Sequence, residues 1–471
     1  MKRDFIILGI VALAVGILMR IFYPMPFVYS DSAAYINSAV YGTFNVFRPM
    51  GYSHYLAMLH SIVPTLGFIF YVTYILYIVS TLTLTWVAVK TLDIKRHSII
   101  LAMGLCSILS ARIIFSCNYL MSDALFVILS SLYLTTIMLM FGKKPWIWLI
   151  VNLILLWLMC KVRYSGLFFI PVSIVAFYVS LSSFKTPARI AAACIPLILA
   201  FCFYNSEKKS FKENIGIEVF SGFGGWQSIN NASVLFPEAK QIPLSYFKDK
   251  DLQNLHKYMC TCPDGVFNDD YTMGTTYMWD NSLPYKQFTF AMCQYKGTPY
   301  AYQWVANGDL FGRYATQLIK RYPFQYIKKY FFPALWSNVK FMGFGEENMI
   351  LQNEAMYSEG YGLTEPEYSQ KHHFFTSIDP ARKVVQAIYW ICAVIGTAAF
   401  IFLACRRKIT GQRFSVLLCI ILAIVIIIGG QSVSSPNTTW RYTMPFYIPS
   451  IIFLFTVLDS LLREMPELGR A

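Results

Sequence analysis

Ten apolar segments leave this chain few folds to choose from. They fall near residues 5–23, 66–89, 98–115, 122–141, 146–160, 164–182, 188–204, 384–404, 413–430 and 443–461. A bilayer core offers no water to an exposed backbone, and about 20 apolar helical residues span its roughly 30 Å. The expectation is a polytopic α-helical membrane protein of about ten transmembrane helices. The segments at 146–160 and 164–182 are closely spaced, and either fits a tilted or re-entrant element. Composition agrees, with 14% charged residues and 56% hydrophobic ones; a soluble domain carries about 25% charged residues.

Lys2 and Arg3 precede the first segment, and IFYPMPF offers no small-residue cleavage site after it. The segment therefore reads as a retained helix with a cytoplasmic N-terminus. Lys90, Lys95, Arg96, Lys143, Lys144, Lys185, Arg189, Arg406, Arg407, Lys408 and Arg413 then all fall in cytoplasmic connections, as the positive-inside rule asks. Both termini are expected there. The net charge of +14 belongs to this topology, and no nucleic-acid partner is expected. The chain divides into an N-terminal transmembrane module (1–204) with a first-loop segment (24–62), a mixed soluble extracytoplasmic domain (205–383), and C-terminal transmembrane helices (384–471).

Outside the cytoplasmic connections and the long polar region, six basic residues remain: Arg20, Arg48, Arg112, Lys161, Arg163 and Arg441. All lie at outer span ends or in short outer loops, where the positive-inside rule disfavours them. Two carboxylates, Asp31 and Asp123, share that level. Several cations with two acids suggest an anion site containing a base; the alternative is that arginines snorkel to lipid headgroups. Arginine suits phosphate because its planar fork makes two parallel charge-assisted hydrogen bonds.

The first-loop stretch YSDSAAYINSAVYGTFNVFRPMGYSHYLAML, Tyr29 to Leu59, is the centre of this arrangement. Ser30-Asp31-Ser32 signals a helix start and Gly42 a stop. Asp31, Tyr35 and Ser38 fall at i, i+4 and i+7 and share one polar face. Such a short amphipathic helix is expected along the membrane surface. Asp31 is then either a helix cap or a catalytic carboxylate at the interface.

Region 205–383 has equal numbers of acidic and basic residues and is rich in aromatics and amides, as in GFGGWQSINNAS and YTMGTTYMWDNSLPY. That mixture suits carbohydrate recognition or a packed aromatic core. Residues 309–340 predict two amphipathic helices split at Pro323 and resting on the membrane. Cys260, Cys262 and Cys293 are its cysteines, and two could pair in an oxidising compartment. Asn231-Ala-Ser233 and Asn437-Thr-Thr439 are glycosylation sequons. No CxxC, HExxH or GxGxxG occurs, and adjacent His372-His373 do not share a helix face, so no metal or other cofactor is expected.

The chain resembles the GT-C superfamily of membrane glycosyltransferases, which use polyprenyl-phosphate-linked sugars; protein O-mannosyltransferases and lipid A aminoarabinose transferases belong to it. The similar pieces are Asp31 with Tyr35 in the first loop, the Arg-Pro turn of FRPMGYSHYLAML, the acidic opening SDALFVILSSL, the basic KVRYSGLFFIP and the final RYTMP. The resemblance implies transfer of a sugar from a polyprenyl-phosphate donor to a lipid, glycan or protein hydroxyl on the outer face of the membrane, with inversion. Asp31 is expected as general base, with Asp123 as the other candidate. Tyr35, Arg48, His54, Arg112, Lys161, Arg163, Arg441 and Tyr442 are expected to bind substrate. Family members that need a metal show paired first-loop acids, whereas Asp31 stands between serines. The expected setting is a bacterial inner membrane, with the site facing the periplasm or exterior. A glycan polymerase or ligase using a lipid-linked glycan is the alternative. A transporter or flippase is the more distant one, since those place polar sites at the bilayer midplane, often within paired repeats.

Overall fold

The computed structural model describes residues 1–23, 26, 31–263, 288, 297–340, 379–435 and 440–468. The expected sites at Ser30, Cys293, His372-His373 and the sequon at 437–439 lie outside them, as does the stretch YTMGTTYMWDNSLPY.

Helices follow the apolar segments. In chain order they are α1 (Lys2–Phe22), α2 (Ser32–Tyr41), α3 (Gly51–Ile62), α4 (Leu66–Thr91), α5 (His97–Ile108), α6 (Ala111–Cys117), α7 (Ser122–Met140), α8 (Pro145–Val162), α9 (Ile170–Ser180) and α10 (Thr186–Ile215). Then come α11 (Gly224–Asn231), α12 (Lys250–Cys260), α13 (Tyr300–Arg321), α14 (Phe332–Lys340), α15 (Asp379–Cys405), α16 (Gly411–Ser434) and α17 (Trp440–Leu468). Among the described residues eight helices are long and apolar enough to cross a membrane; a ninth candidate is the α5–α6 pair, bent by 44°. The segment expected at 164–182 is the shorter apolar stretch Tyr164–Ser180, which opens as a 3-10 helix at Tyr164–Phe169. The chain is thus a polytopic helical membrane protein.

The bundle's interior is aliphatic and aromatic, and α7 lies at its centre, buried nearly all round. A helix that is apolar on every face is a core helix or a span, and α7 is both. A second core forms around Trp226, Trp304, Phe311 and Tyr314. It depends on glycine: a Cβ on Gly225 would stand 1.6 Å from the Gly308 carbonyl oxygen, so α11 and α13 cross backbone to backbone. Trp226 stacks on Trp304 at 4.3 Å. In GFGGWQSINNAS the aromatic ring is therefore core packing. Asn231 of the first sequon is buried and donates to the Val433 carbonyl at 3.0 Å, so its amide has no room for a glycan.

No strand occurs among the described residues, and those of region 205–383, where a mixed domain is expected, are helical or in turns and loops. The expected break before Pro323 is present: α13 ends at Arg321, and the chain resumes as a helical turn at Pro323–Tyr326 followed by a π-helical turn, Ile327–Phe331. Cys260 and Cys262 are free thiols.

The first loop lies between the two cores. Tyr35, Ile36, Tyr52, Leu56 and Leu59 join the bundle core, whereas Val46 belongs to the second core and Phe44 and Phe47 pack against it.

Candidate functional site

α2 ends where expected, at Gly42 with φ +66°, a left-handed conformation that glycine adopts without strain. Two hydrogen bonds staple α2 to the start of α7. The Ser32 hydroxyl donates to the Leu120 carbonyl at 2.9 Å, and the Tyr35 and Ser122 hydroxyls share a bond of 3.1 Å. Tyr35 is buried edge-on against Tyr52 at 4.8 Å. It locks the first loop to the bundle. Asp31 stands at the N-cap position of α2, yet its side chain makes no capping bond. The capping role therefore does not account for this carboxylate.

The Asp31 carboxylate engages arginine instead. Its Oδ2 lies 3.2 Å from Arg48 Nη2 and 3.5 Å from Arg441 Nη2, while Oδ1 takes no bond from any described residue. Arg48 is set by an Asx turn: Asn45 Oδ1 accepts from the backbone N–H groups of Phe47 (2.9 Å) and Arg48 (3.0 Å). The guanidinium then lies 4.6 Å from the Phe223 ring of the second core. Beyond Arg48 the chain closes tightly, since a Cβ on Gly51 would meet the Lys161 carbonyl oxygen at 2.4 Å. Glycine at the start of α3 lets the Arg-Pro turn press against the end of α8.

Arg441 bridges the two acids. Its Nη2 is 3.1 Å and its Nε 3.3 Å from Asp123 Oδ2. Arg163 takes Asp123 Oδ1, so both oxygens of Asp123 are occupied. The Tyr442 ring lies 5.2 Å from the Arg163 guanidinium and 6.0 Å from that of Arg441, within cation–π range. Five charged side chains from the first loop, α7, the end of α8 and the start of α17 thus form one chain of contacts: Arg48, Asp31, Arg441, Asp123, Arg163. Asp123 is 3% exposed and Asp31 24%. Burial pushes the Asp31 carboxyl up, but Arg48 and Arg441 outweigh it and hold the group below its ordinary range. Burial likewise works against the Arg48 charge, and Asp31 more than restores it.

Of the expected substrate-binding residues, the structure gathers Tyr35, Arg48, Arg163, Arg441 and Tyr442 around the two acids. Lys161 stands apart. Its ammonium is 2.7 Å from Glu207 Oε1 and 3.3 Å from Ser206 Oγ, and the Tyr164 hydroxyl donates to Glu207 Oε2 at 3.3 Å. Glu207 is buried, so Lys161 serves as its counter-ion and not as a free cation for substrate. His54 is exposed on α3 and belongs to no described ion pair of the cluster. Arg112 stands on α6, its carbonyl accepting the Ser116 hydroxyl at 2.7 Å; the three guanidiniums on the acids are those of Arg48, Arg163 and Arg441. Among the described residues no group of three or more His, Cys, Asp or Glu side chains could hold a metal.

Sequence reasoning missed Asn45, Phe223 and Glu207. Asn45 was legible in principle, since Asn three residues before Arg48 and next to a Pro turn is an Asx-turn pattern. Glu207 was hidden because α10 runs unbroken to Ile215, carrying into the bundle a residue counted with the polar region.

Chemically, the cluster offers one carboxylate oxygen that takes no bond from any described residue and three guanidiniums of the kind that suits an oxyanion. No family model, curated protein or solved structure matches the chain.

Proposed function

We propose that this protein is a membrane glycosyltransferase of the GT-C type, moving a sugar from a polyprenyl-phosphate donor to a hydroxyl acceptor at the outer membrane face. One observation carries the reading. The two acids left at outer span ends by the charge pattern meet three of the six outer cations in one cluster, and the acids differ in what they can do. Asp123 has both oxygens engaged by arginine and is nearly sealed from solvent. It is the positioning carboxylate, holding Arg163 and Arg441 side by side. Asp31 has an oxygen that no described residue engages and partial exposure, and it is the general base.

In the reaction the acceptor oxygen attacks the anomeric carbon and its proton passes to Asp31 Oδ1. The bond from that carbon to the phosphate oxygen breaks, and its electron pair leaves with the lipid phosphate. In-line displacement inverts the anomeric centre. The leaving group needs no proton but does need charge stabilisation, which Arg163 and Arg441 supply from a water-poor site. A carboxylate base in such a role contributes about 10²–10⁴-fold in rate.

The test is biochemical. Cells lacking the protein should accumulate a polyprenyl-phosphate sugar, and purified protein should consume that lipid and release polyprenyl phosphate. Absence of accumulation together with no turnover across a donor panel would refute the assignment. The acceptor recovered with the sugar separates a transferase from a glycan polymerase or ligase, which would join one lipid-linked glycan to another.

A further inference from the structure

We propose that Glu207 is a positioning residue for the transfer proposed above, acting through Arg163, on the reading that Arg163 faces the departing phosphate. The corner that carries Arg163 is short and sharply folded. α8 ends at Val162, Arg163 is extended at φ −151° and ψ 137°, and a 3-10 helix starts at Tyr164. The Arg163 N–H donates to the Met159 carbonyl, and its own carbonyl accepts from the Gly166 N–H, both at 2.9 Å. A Cβ on Gly166 would stand 2.6 Å from the Cys160 nitrogen, so the 3-10 turn folds onto α8 with no room for a side chain there.

The extended residue divides this corner between two acids. Arg163 turns to Asp123 on α7, whereas Lys161 and Tyr164, which flank it in the chain, both turn to Glu207 on α10. Each takes a different oxygen of that carboxylate, Lys161 bonding Oε1 and Tyr164 bonding Oε2. Phe203, Ser206 and Glu207 fall at i, i+3 and i+4 on α10 and share one face. The Lys161 ammonium donates to Ser206 Oγ and lies 5.4 Å from the Phe203 ring. The Tyr164 ring lies 6.3 Å from the same Phe203 ring. α10 thus grips the corner on both sides of Arg163.

A buried ion pair seldom adds stability over apolar side chains of similar volume, so packing alone gives no reason for a carboxylate at 5% exposure. A charge kept in such a setting points to function. Fixing the backbone at 161–164 fixes where the Arg163 fork begins, and a planar guanidinium must meet its partners at defined angles. Misplacing a group near the reacting atoms by about 1 Å costs about 100-fold in rate.

Glu207→Gln in the full chain, purified in detergent, tests this. It should lower kcat by about 10- to 100-fold. In an Arg163→Ala background the same change should cost less than about twofold more, since the group it positions is gone. Lys161→Met combined with Glu207→Leu removes both charges at similar volume and decides the matter if Glu207→Gln does not fold; its effect should depend on Arg163 in the same way. A second readout needs no turnover. Phenylglyoxal labelling, read by peptide mass spectrometry, should rise several-fold at Arg163 in Glu207→Gln and stay at the unmodified protein's rate at Arg48. An unmodified protein that transfers no sugar would refute the function and leave the labelling to decide the clamp. Equal losses with and without Arg163, unchanged labelling at Arg163, or an equal rise at Arg163 and Arg48 would overturn it.

Discussion

The two ends of α17 each carry an ion cluster, built on opposite plans. At its start Arg441 bonds Asp123, and it also reaches Asp31; all three residues come from segments far apart in the chain. Toward its end Arg463 bonds Asp459 one turn back, at 2.5 Å, and Asp93 at 3.2 Å. The residues Arg441 and Arg463 are separated by about 33 Å of helix, close to the thickness of a bilayer core. Asp93 and its second partner Lys95 are 61% and 69% exposed, against 3% and 12% for Asp123 and Arg441. Only Asp459 is fully buried at the far end, and its partner is local. Exposed pairs are screened and contribute little. Desolvated charges depend on one another, because removing one partner strands the rest. Charges kept in the costly setting are the ones to test for function.

The contrast is sharpest at Asp31. Asp31→Asn keeps the size of the side chain and should lower transfer by at least about 100-fold with normal expression and donor binding. An active Asp31→Asn beside an inactive Asp123→Asn would exchange the two roles. Next in size is Arg441→Ala, which leaves Asp123 short of a counter-ion and Asp31 with Arg48 alone. It should cost about 3–5 kcal/mol of stability, seen as a lower unfolding temperature in detergent. Arg441→Lys should restore little, because an ammonium lacks the fork that spans Asp31 and Asp123; full recovery would break the bridging account.

A smaller effect is expected from pH. Asp31 is held below its ordinary value of 3.8, so the folded chain binds this proton less tightly than the unfolded one. Its contribution is complete above that ordinary value and is lost as pH falls through the lower folded-state value. The acid limb of kcat/KM assigned to Asp31 should therefore lie below 3.8. A limb near neutrality that disappears in Asp31→Asn would overturn the ionised resting state. The smallest effect belongs to the far end. Asp93 has φ +50°, which asparagine tolerates well, and Asp93→Asn should change stability by no more than about 0.5 kcal/mol.

Which charged residues share one end of the bundle was legible in the sequence; direction around each helix was not. Span ends and charge placement put Asp31, Arg48, Asp123, Arg163 and Arg441 on one level, and the structure brings them together. The same reasoning put Arg112 and Lys161 on that level and could not say which way they turn. α7 shows why: it is buried on nearly every face, so its sequence carries no polar stripe from which to read a rotation. Lys161 turns to Glu207 because α10 continues past its apolar segment, and a hydropathy boundary marks where apolar residues stop, not where a helix does. The second core was ambiguous for a different reason. Aromatic residues with glycines describe a sugar platform and a close helix crossing equally well until Gly225 is seen against Gly308.

In the proposed transfer, Arg441, shared between both acids, would tie the site to the charge that its substrate changes. Three guanidiniums against two carboxylates leave one positive charge, which a phosphodiester monoanion cancels. When the acceptor's proton moves to Asp31, the side-chain cluster gains one unit of positive charge. In the same step the departing lipid monophosphate gains one of negative charge. The pocket would hold a neutral assembly before transfer and a neutral one after it, with no ion drawn from water in between. A pyrophosphate donor, one charge richer, would break that balance at the start. On that proposal the arrangement would favour a single phosphate between lipid and sugar.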